Sequence, residues 1–196
     1  MKKFFFAFIF CLFAVNAFAL STAIQAVCGA SSAASCTTAH VDNSGGLENG
    51  GNPVGSSTAN YWTGQTAWNP GENISICKVR VNVTAVGSPS GRTWYVAVYT
   101  LDGTSLNVLQ GTSDGQAGNN AANDTNIDFV FSTPVAVTNG TDYAVVLYSN
   151  SVADASNYYI YNFTADGALD GTFARFNDDK TQNSSNTRDM KTAVYK

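Results

Sequence analysis

ISICKVRVNVTAVGSPSGRTWYVAVYT, Ile74 to Thr100, decides how this chain folds. Cys77, Val79, Val81 and Val83 alternate with Lys78, Arg80, Asn82 and Thr84. Alternation of period two marks a β-strand with one face in a core and the other in water. Ile74 and Ile76 fall on the opposite phase, so a β-bulge is expected near Ile76. Gly87-Ser88-Pro89-Ser90-Gly91 suits a reversal, because glycine tolerates positive φ and proline fixes φ without needing a donor. In the return run Trp94, Val96 and Val98 share one face, and Tyr95, Ala97 and Tyr99 the other. The valine face is the expected core face, and the two runs read as a single hairpin of a buried sheet.

Upstream, Met1-Lys2-Lys3 and the apolar run FFFAFIFCLFAV lead into Asn16-Ala17-Phe18-Ala19. A basic start, a short apolar stretch and an A-x-A site predict a secretory signal peptide over residues 1–19, cleaved after Ala19. The apolar run is shorter than the roughly 20 residues that a membrane span needs. Cys11 follows Phe10, which rules out a lipobox. Residues 20–196 are then the size of one domain with a core of its own. The net charge of −4 becomes more negative once Lys2 and Lys3 are removed, so nucleic acid and anionic membrane are not expected partners. Few charges, many Thr, Asn, Ser and Gly, and frequent Tyr and Val describe a secreted, extracellular or cell-surface β protein with polar loops. The N-x-S/T sequons at Asn73, Asn82, Asn123, Asn139, Asn162 and Asn183 carry no weight behind a signal of bacterial character.

Residues 20–60 are small and polar and are expected to form a low-complexity N-terminal arm, with the sandwich proper at 61–196. Strands are predicted at Tyr61 to Trp68, around Asn107 to Thr112, and at Ile127 to Ser132 with an extension from Pro134 to Val137. Further strands are predicted at Asp142 to Ser149, Tyr158 to Phe163, Thr172 to Asn177 and Asp189 to Tyr195. Trp62 and Trp68 share a phase and, with Trp94, are assigned to the core. No window carries a helical period. The fold class is therefore all-β, an antiparallel two-sheet β-sandwich.

The run KVRVNVTAVGSPSGRTWYVAVYT, then GTSD at Gly111 to Asp114, then FVFSTPVAVTNGTDYAVVLYS at Phe129 to Ser149, resembles the choice-of-anchor domains of secreted and surface bacterial proteins, nearest to the R type. The resemblance covers Gln65 to Lys196. It implies a jelly-roll-like sandwich and no catalytic residues. Such domains usually precede a C-terminal sorting signal, whereas this sequence ends on DMKTAVYK, so attachment by that route is not expected.

The residues themselves offer little for catalysis. His40, the lone histidine, sits in the polar arm and is expected to be solvated. Pro89 stands where a G-x-S-x-G elbow would place its serine. Most acids stand beside Gly, Thr or Asn in turns, which accounts for them without chemistry. No cofactor is expected; calcium is the one ion such oxygen-rich loops could take, with Asp102, Asp114 and Asp124 as candidates within Asp102 to Asp128. Tyr95 and Tyr99, with Tyr148 on a neighbouring strand, could stack against sugar rings, or could simply fill cross-strand pairs.

Loss of Cys11 leaves three cysteines in an oxidising compartment. Cys28 and Cys36, close together in the arm, are expected to pair, leaving Cys77 as a buried free thiol. Leu20 to Val27 is expected to add a strand to an edge of its own sandwich rather than a neighbour's. These readings converge on a non-enzymatic module for extracellular binding or adhesion, with glycan the leading ligand. A structural subunit of an extracellular fibre and a hydrolase with an unrecognised acidic site are the alternatives.

Overall fold

The computed structural model describes residues 36–46, 50–119, 124–164 and 169–196. The expected signal peptide, the Leu20 to Val27 strand and Cys28 lie outside the described residues. The described residues form fourteen β-strands. In chain order these are β1 (Ala39–Asp42), β2 (Gly51–Val54), β3 (Trp62–Trp68), β4 (Ile74–Val86), β5 (Thr93–Asp102), β6 (Ser105–Thr112) and β7 (Gln116–Ala117). They continue with β8 (Thr125–Val137), β9 (Tyr143–Ser149), β10 (Tyr158–Thr164), β11 (Thr172–Phe176), β12 (Gln182–Asn186), β13 (Asp189–Met190) and β14 (Thr192–Tyr195). Two antiparallel seven-stranded sheets pack face to face, an all-β sandwich as the alternation predicts. The first sheet is built around β4, which pairs with β8 along one side and with β14 and β10 along the other; β1, β2 and β13 extend it. The second runs β12-β11-β3-β9-β5-β6, with β7 on β5.

β4 and β5 are not a hairpin. β4 belongs to the first sheet and β5 to the second, and the 3-10 turn Pro89–Gly91 carries the chain across. Both valine faces do reach the core, but from opposite layers. Val79, Val81 and Val83 meet Trp94, Val96 and Val98 there, with Phe129, Phe131, Val145, Leu147, Tyr159 and Tyr161. Burying side chains of this size contributes roughly 1.5–3 kcal/mol each.

Two bulges decide which side chains enter that core. The register between β4 and β8 shifts between Ile76 and Lys78, so Ile74, Ile76 and Val79 all point inward. Cys77, the displaced residue, turns outward to Ala193 and Tyr195 and is bonded to Cys36, with Cα atoms 5.9 Å apart. The expected Cys28–Cys36 bridge and the free Cys77 thiol are therefore corrected: the bulge removes Cys77 from the core phase and presents it to the start of the compact unit. In β3 the register shifts between Gln65 and Trp68, where Ala67 takes φ 53°. Trp68 joins the core between the sheets, while Trp62, buried as expected, faces the opposite way, into a second apolar cluster.

The expected arm is also shorter than the sequence suggests, since Cys36 begins the compact unit and both β1 and β2 are strands of the first sheet. His40, on β1, is not solvated. Its Nε2 lies 2.8 Å from the Pro70 carbonyl and its Nδ1 3.2 Å from the Glu72 carboxylate, with the ring edge-on to Trp68. The polar strand β12 was not foreseen, because QNSSN carries no apolar alternation.

Candidate functional site

The outer face of the second sheet carries an apolar cluster of its own. Opposite in phase to Val96, Val98, Val145 and Leu147 stand Ala97, Tyr99, Ala144 and Val146, joined by Trp62, Leu106, Ala174 and Phe176. Small residues, Ala97, Ala144 and Ala174, make part of its floor. Gly64 belongs to it, since a Cβ there would fall 1.9 Å from the Val145 carbonyl oxygen of the neighbouring strand.

On this floor the register of four strands lines up a row of rings. Phe176 of β11 pairs with Trp62 of β3, the β3–β9 pairing at Thr63 and Leu147 sets Trp62 beside Tyr148, and Tyr148 pairs with Tyr95 of β5. Trp62 stacks on Tyr148 with centroids 4.0 Å apart at 29°, and Tyr148 on Tyr95 at 5.4 Å and 26°. Tyr61 leans on Trp62 at 5.6 Å. Tyr95, Tyr148 and Tyr61 are half-buried, leaving part of each ring to solvent. Offset stacks of this kind are held by roughly 0.5–1.5 kcal/mol each beyond their burial. Burial pushes the Tyr148 hydroxyl up, opposed by its hydrogen bond with Thr112.

Of the three tyrosines that the sequence singles out, Tyr95 and Tyr148 are thus brought into contact. Tyr99 is not on offer. It is 3% exposed, edge-on to Trp62, with Lys180 Nζ 5.0 Å over its ring, and burial pushes its hydroxyl up. The turn at 177–181 closes that end of the face, with the Leu106 N–H donating to the Lys180 carbonyl at 3.1 Å. The row is closed beside Tyr99, whereas Tyr95 keeps part of its ring exposed.

At the Trp62 end lies a cleft of about 500 Å³, walled by Tyr61 and Trp62 on one side, by residues 150–153 on the other, and by Thr58 and Asp178. Val152 stands on its rim, 87% exposed. The 150–157 loop has no regular structure, and a buried guanidinium organises it. Arg92 Nη1 donates to the carbonyls of Gly55 (3.0 Å) and Asn157 (2.9 Å), and Nη2 to those of Ser151 (3.4 Å) and Val152 (3.1 Å). Burial lowers the Arg92 pKa, against the pull of Asp154. Asp154 accepts from the Ser156 N–H and from Asn157 Nδ2, which completes the loop. A rigid fork of donors suits this task as an ammonium would not.

Sequence reasoning missed Trp62 and Tyr61 as site residues. Counting in twos from Trp68 places Trp62 inside, and only the bulge at Ala67, a residue with no turn signature, reverses that. The calcium candidates do not converge. Asp102 is exposed at the end of β5, Asp114 accepts from Ser132 Oγ at 2.6 and 2.7 Å, and Asp124 is bonded to Lys191. Among the described residues no three His, Cys, Asp or Glu side chains gather where they could hold a metal, and no helix is long and apolar enough to cross a membrane. No family model and no curated protein matches this chain.

Proposed function

We propose that this protein is a secreted, non-enzymatic extracellular binding or adhesion module that takes glycan along the Trp62–Tyr148–Tyr95 row, with the adjoining cleft as an end pocket. The row carries the reading. The partly exposed rings of Tyr148 and Tyr95, held at fixed spacing on a rigid sheet by their stack on the buried Trp62, offer an apolar strip to a sugar ring, and polar groups at the pocket wall fix orientation. The choice-of-anchor resemblance is in keeping with a surface role.

The test is a glycan array on the mature protein with Trp62→Ala and Tyr148→Ala beside it. Loss of one stack is expected to weaken binding about tenfold, from roughly 1.5 kcal/mol per aromatic contact, while Tyr148→Phe keeps the ring and most of the affinity. A folded protein that retains no glycan, or Ala variants that bind like the parent, would sink the reading. Assembly into a fibre is the second reading, and a size measurement on the same sample tests it. The edges argue against it: β2 contains Pro53, β12 is polar throughout, β6 pairs irregularly with β5, and the long edge β8 contains Pro134 and is met just after β6 by Asp114, whose N–H donates to the Val130 carbonyl at 2.8 Å.

A further inference from the structure

The outer face of the first sheet holds a polar cluster, buried at Lys191, Asn82 and Asn162 and open to solvent at Asp124, far from anything the aromatic row requires. Val81 and Val83 point into the core, so Asn82 between them points outward. Met190 and Val194 point inward, so Lys191, between β13 and β14, points outward with Ala193. Thr192 pairs with Val81, and the Asn82 N–H donates to the Lys191 carbonyl at 3.0 Å, so Lys191 and Asn82 stand side by side on one face. Both are 2% exposed, and Asn162 beside them is 1% exposed. A lysine buried this deeply is rare and calls for a stated partner.

That partner is Asp124, whose Oδ1 accepts from Lys191 Nζ at 2.5 Å. Asp124 leads into β8, on the far side of β4 from β14, where Thr125 and Asn126 pair with Val83 and Asn82. The lysine side chain therefore crosses over β4 at Asn82 to reach it. The Asn82 amide is held at both ends: Oδ1 accepts from Asn162 Nδ2 at 2.7 Å, and Nδ2 donates to Asn126 Oδ1 at 2.8 Å. Thr84 Oγ1 accepts from the Asp124 N–H and from Asn162 Nδ2, both at 3.3 Å, and ties the members together. An amine, a carboxamide and a carboxylate are thus gathered on one face, across the adjoining strands β14, β4 and β8.

We propose that Lys191 and Asn82 become joined by an intramolecular amide bond, with Asp124 moving the protons. Asp124 takes a proton from the Lys191 ammonium, and the freed Nζ lone pair attacks Asn82 Cγ. The developing oxyanion on Oδ1 is met by the Asn162 Nδ2–H already aimed at it. Asp124 passes its first proton to Nδ2, the Cγ–Nδ2 bond breaks and ammonia leaves; Asp124 then takes the second proton from Nζ, and the ammonia carries that proton off as ammonium. One C–N bond replaces another, the second product is one ammonia, and nothing is oxidised or reduced. The product removes a buried charge and bolts the strand before the C-terminus to the central strand of its sheet.

Mass spectrometry of the full secreted protein decides it. The intact protein is expected to be one ammonia lighter than its mature, disulfide-bonded sequence. Trypsin should leave residues 81–92 linked to residues 189–196, uncut after Lys191. Asp124→Ala keeps both reacting groups and is expected to show the full mass, unlinked peptides, and a thermal midpoint lower by on the order of 10 °C from loss of a long closed loop. Lys191→Arg should likewise restore the full mass. Cleavage after Lys191 in the parent, a linkage one water lighter and running to Asp124, or an ammonia loss placed within a single unlinked peptide would each overturn the proposal. A linked Asp124→Ala protein would overturn the role of Asp124.

Discussion

Asp128 lies between two cations of the neighbouring strand, accepting from Arg80 Nε at 2.6 Å and Nη2 at 3.0 Å and from Lys78 Nζ at 3.2 Å. The bidentate guanidinium contact holds its pKa below the ordinary carboxylate value; partial burial opposes this, and Lys78 adds to it. A pKa depressed in the folded state contributes stability that is fully present above the unfolded value of 3.8 and is lost as pH falls through the folded value. Asp128 is 37% exposed, so solvent screening keeps the contribution small. Asp128→Asn is expected to cost about 0.5–1 kcal/mol near neutral pH and progressively less below the unfolded value. Urea midpoints of parent and variant across that range check this, and a gap that stays constant down to the acid end would refute it. At this scale the sequence is informative only where periodicity speaks. It places Lys78 and Arg80 on the outer face of β4, but it does not show that Asp128 lands between them, because that depends on the strand that comes to lie alongside.

The strands themselves were largely legible, and most bounds fall within a residue or two of the apolar alternation. The bulge near Ile76 was legible as well, because a phase slip inside one apolar run has few other readings. The bulge in β3 was not. Trp62 and Trp68 sit an even number of residues apart, so periodicity assigns them one face, and the reversal at Ala67 uses a residue without any preference for it. That reversal carries the candidate site, since it alone sends Trp62 out to Tyr148 while Trp68 stays in the core. Alanine in the left-handed region costs roughly 1–2 kcal/mol, which glycine avoids at the expense of greater freedom when unfolded. Ala67 is exposed, with φ 53°, so Ala67→Gly is expected to stabilise the fold by about 0.5 kcal/mol and leave the aromatic row intact. Ala67→Val should destabilise by more than that. Paired thermal melts decide the sign, and a loss of stability in the glycine variant would contradict this account of the bulge.

For the molecule as a whole, alternation names the face that is buried but not the neighbour that lies beside it. The valine faces of β4 and β5 satisfy one core equally well as adjacent strands or as opposed layers, and Gly87 to Gly91 permits either. The cysteine pairing is hidden for a related reason, because proximity along the chain favours Cys28 with Cys36 and alternation does not show that the bulge turns Cys77 away from the core. The observed Cys36–Cys77 bridge spans 41 residues and ties the first residue of the compact unit to the central strand of the first sheet. On the chain-entropy account a closed loop of that length contributes about 4 kcal/mol. At about 2–4 °C per kcal/mol for a domain of this size, Cys36→Ser with Cys77→Ser is expected to melt roughly 10–15 °C lower. The cost should appear first at β1, where His40 holds Pro70 and Glu72 and where the amide hydrogens of 39–42 should exchange faster. Cys28→Ser separates the two pairings: with Cys36 bonded to Cys77 it should leave the melting temperature unchanged, whereas a fall as large as that of the double variant would return the bridge to Cys28 and leave β4 without its tie.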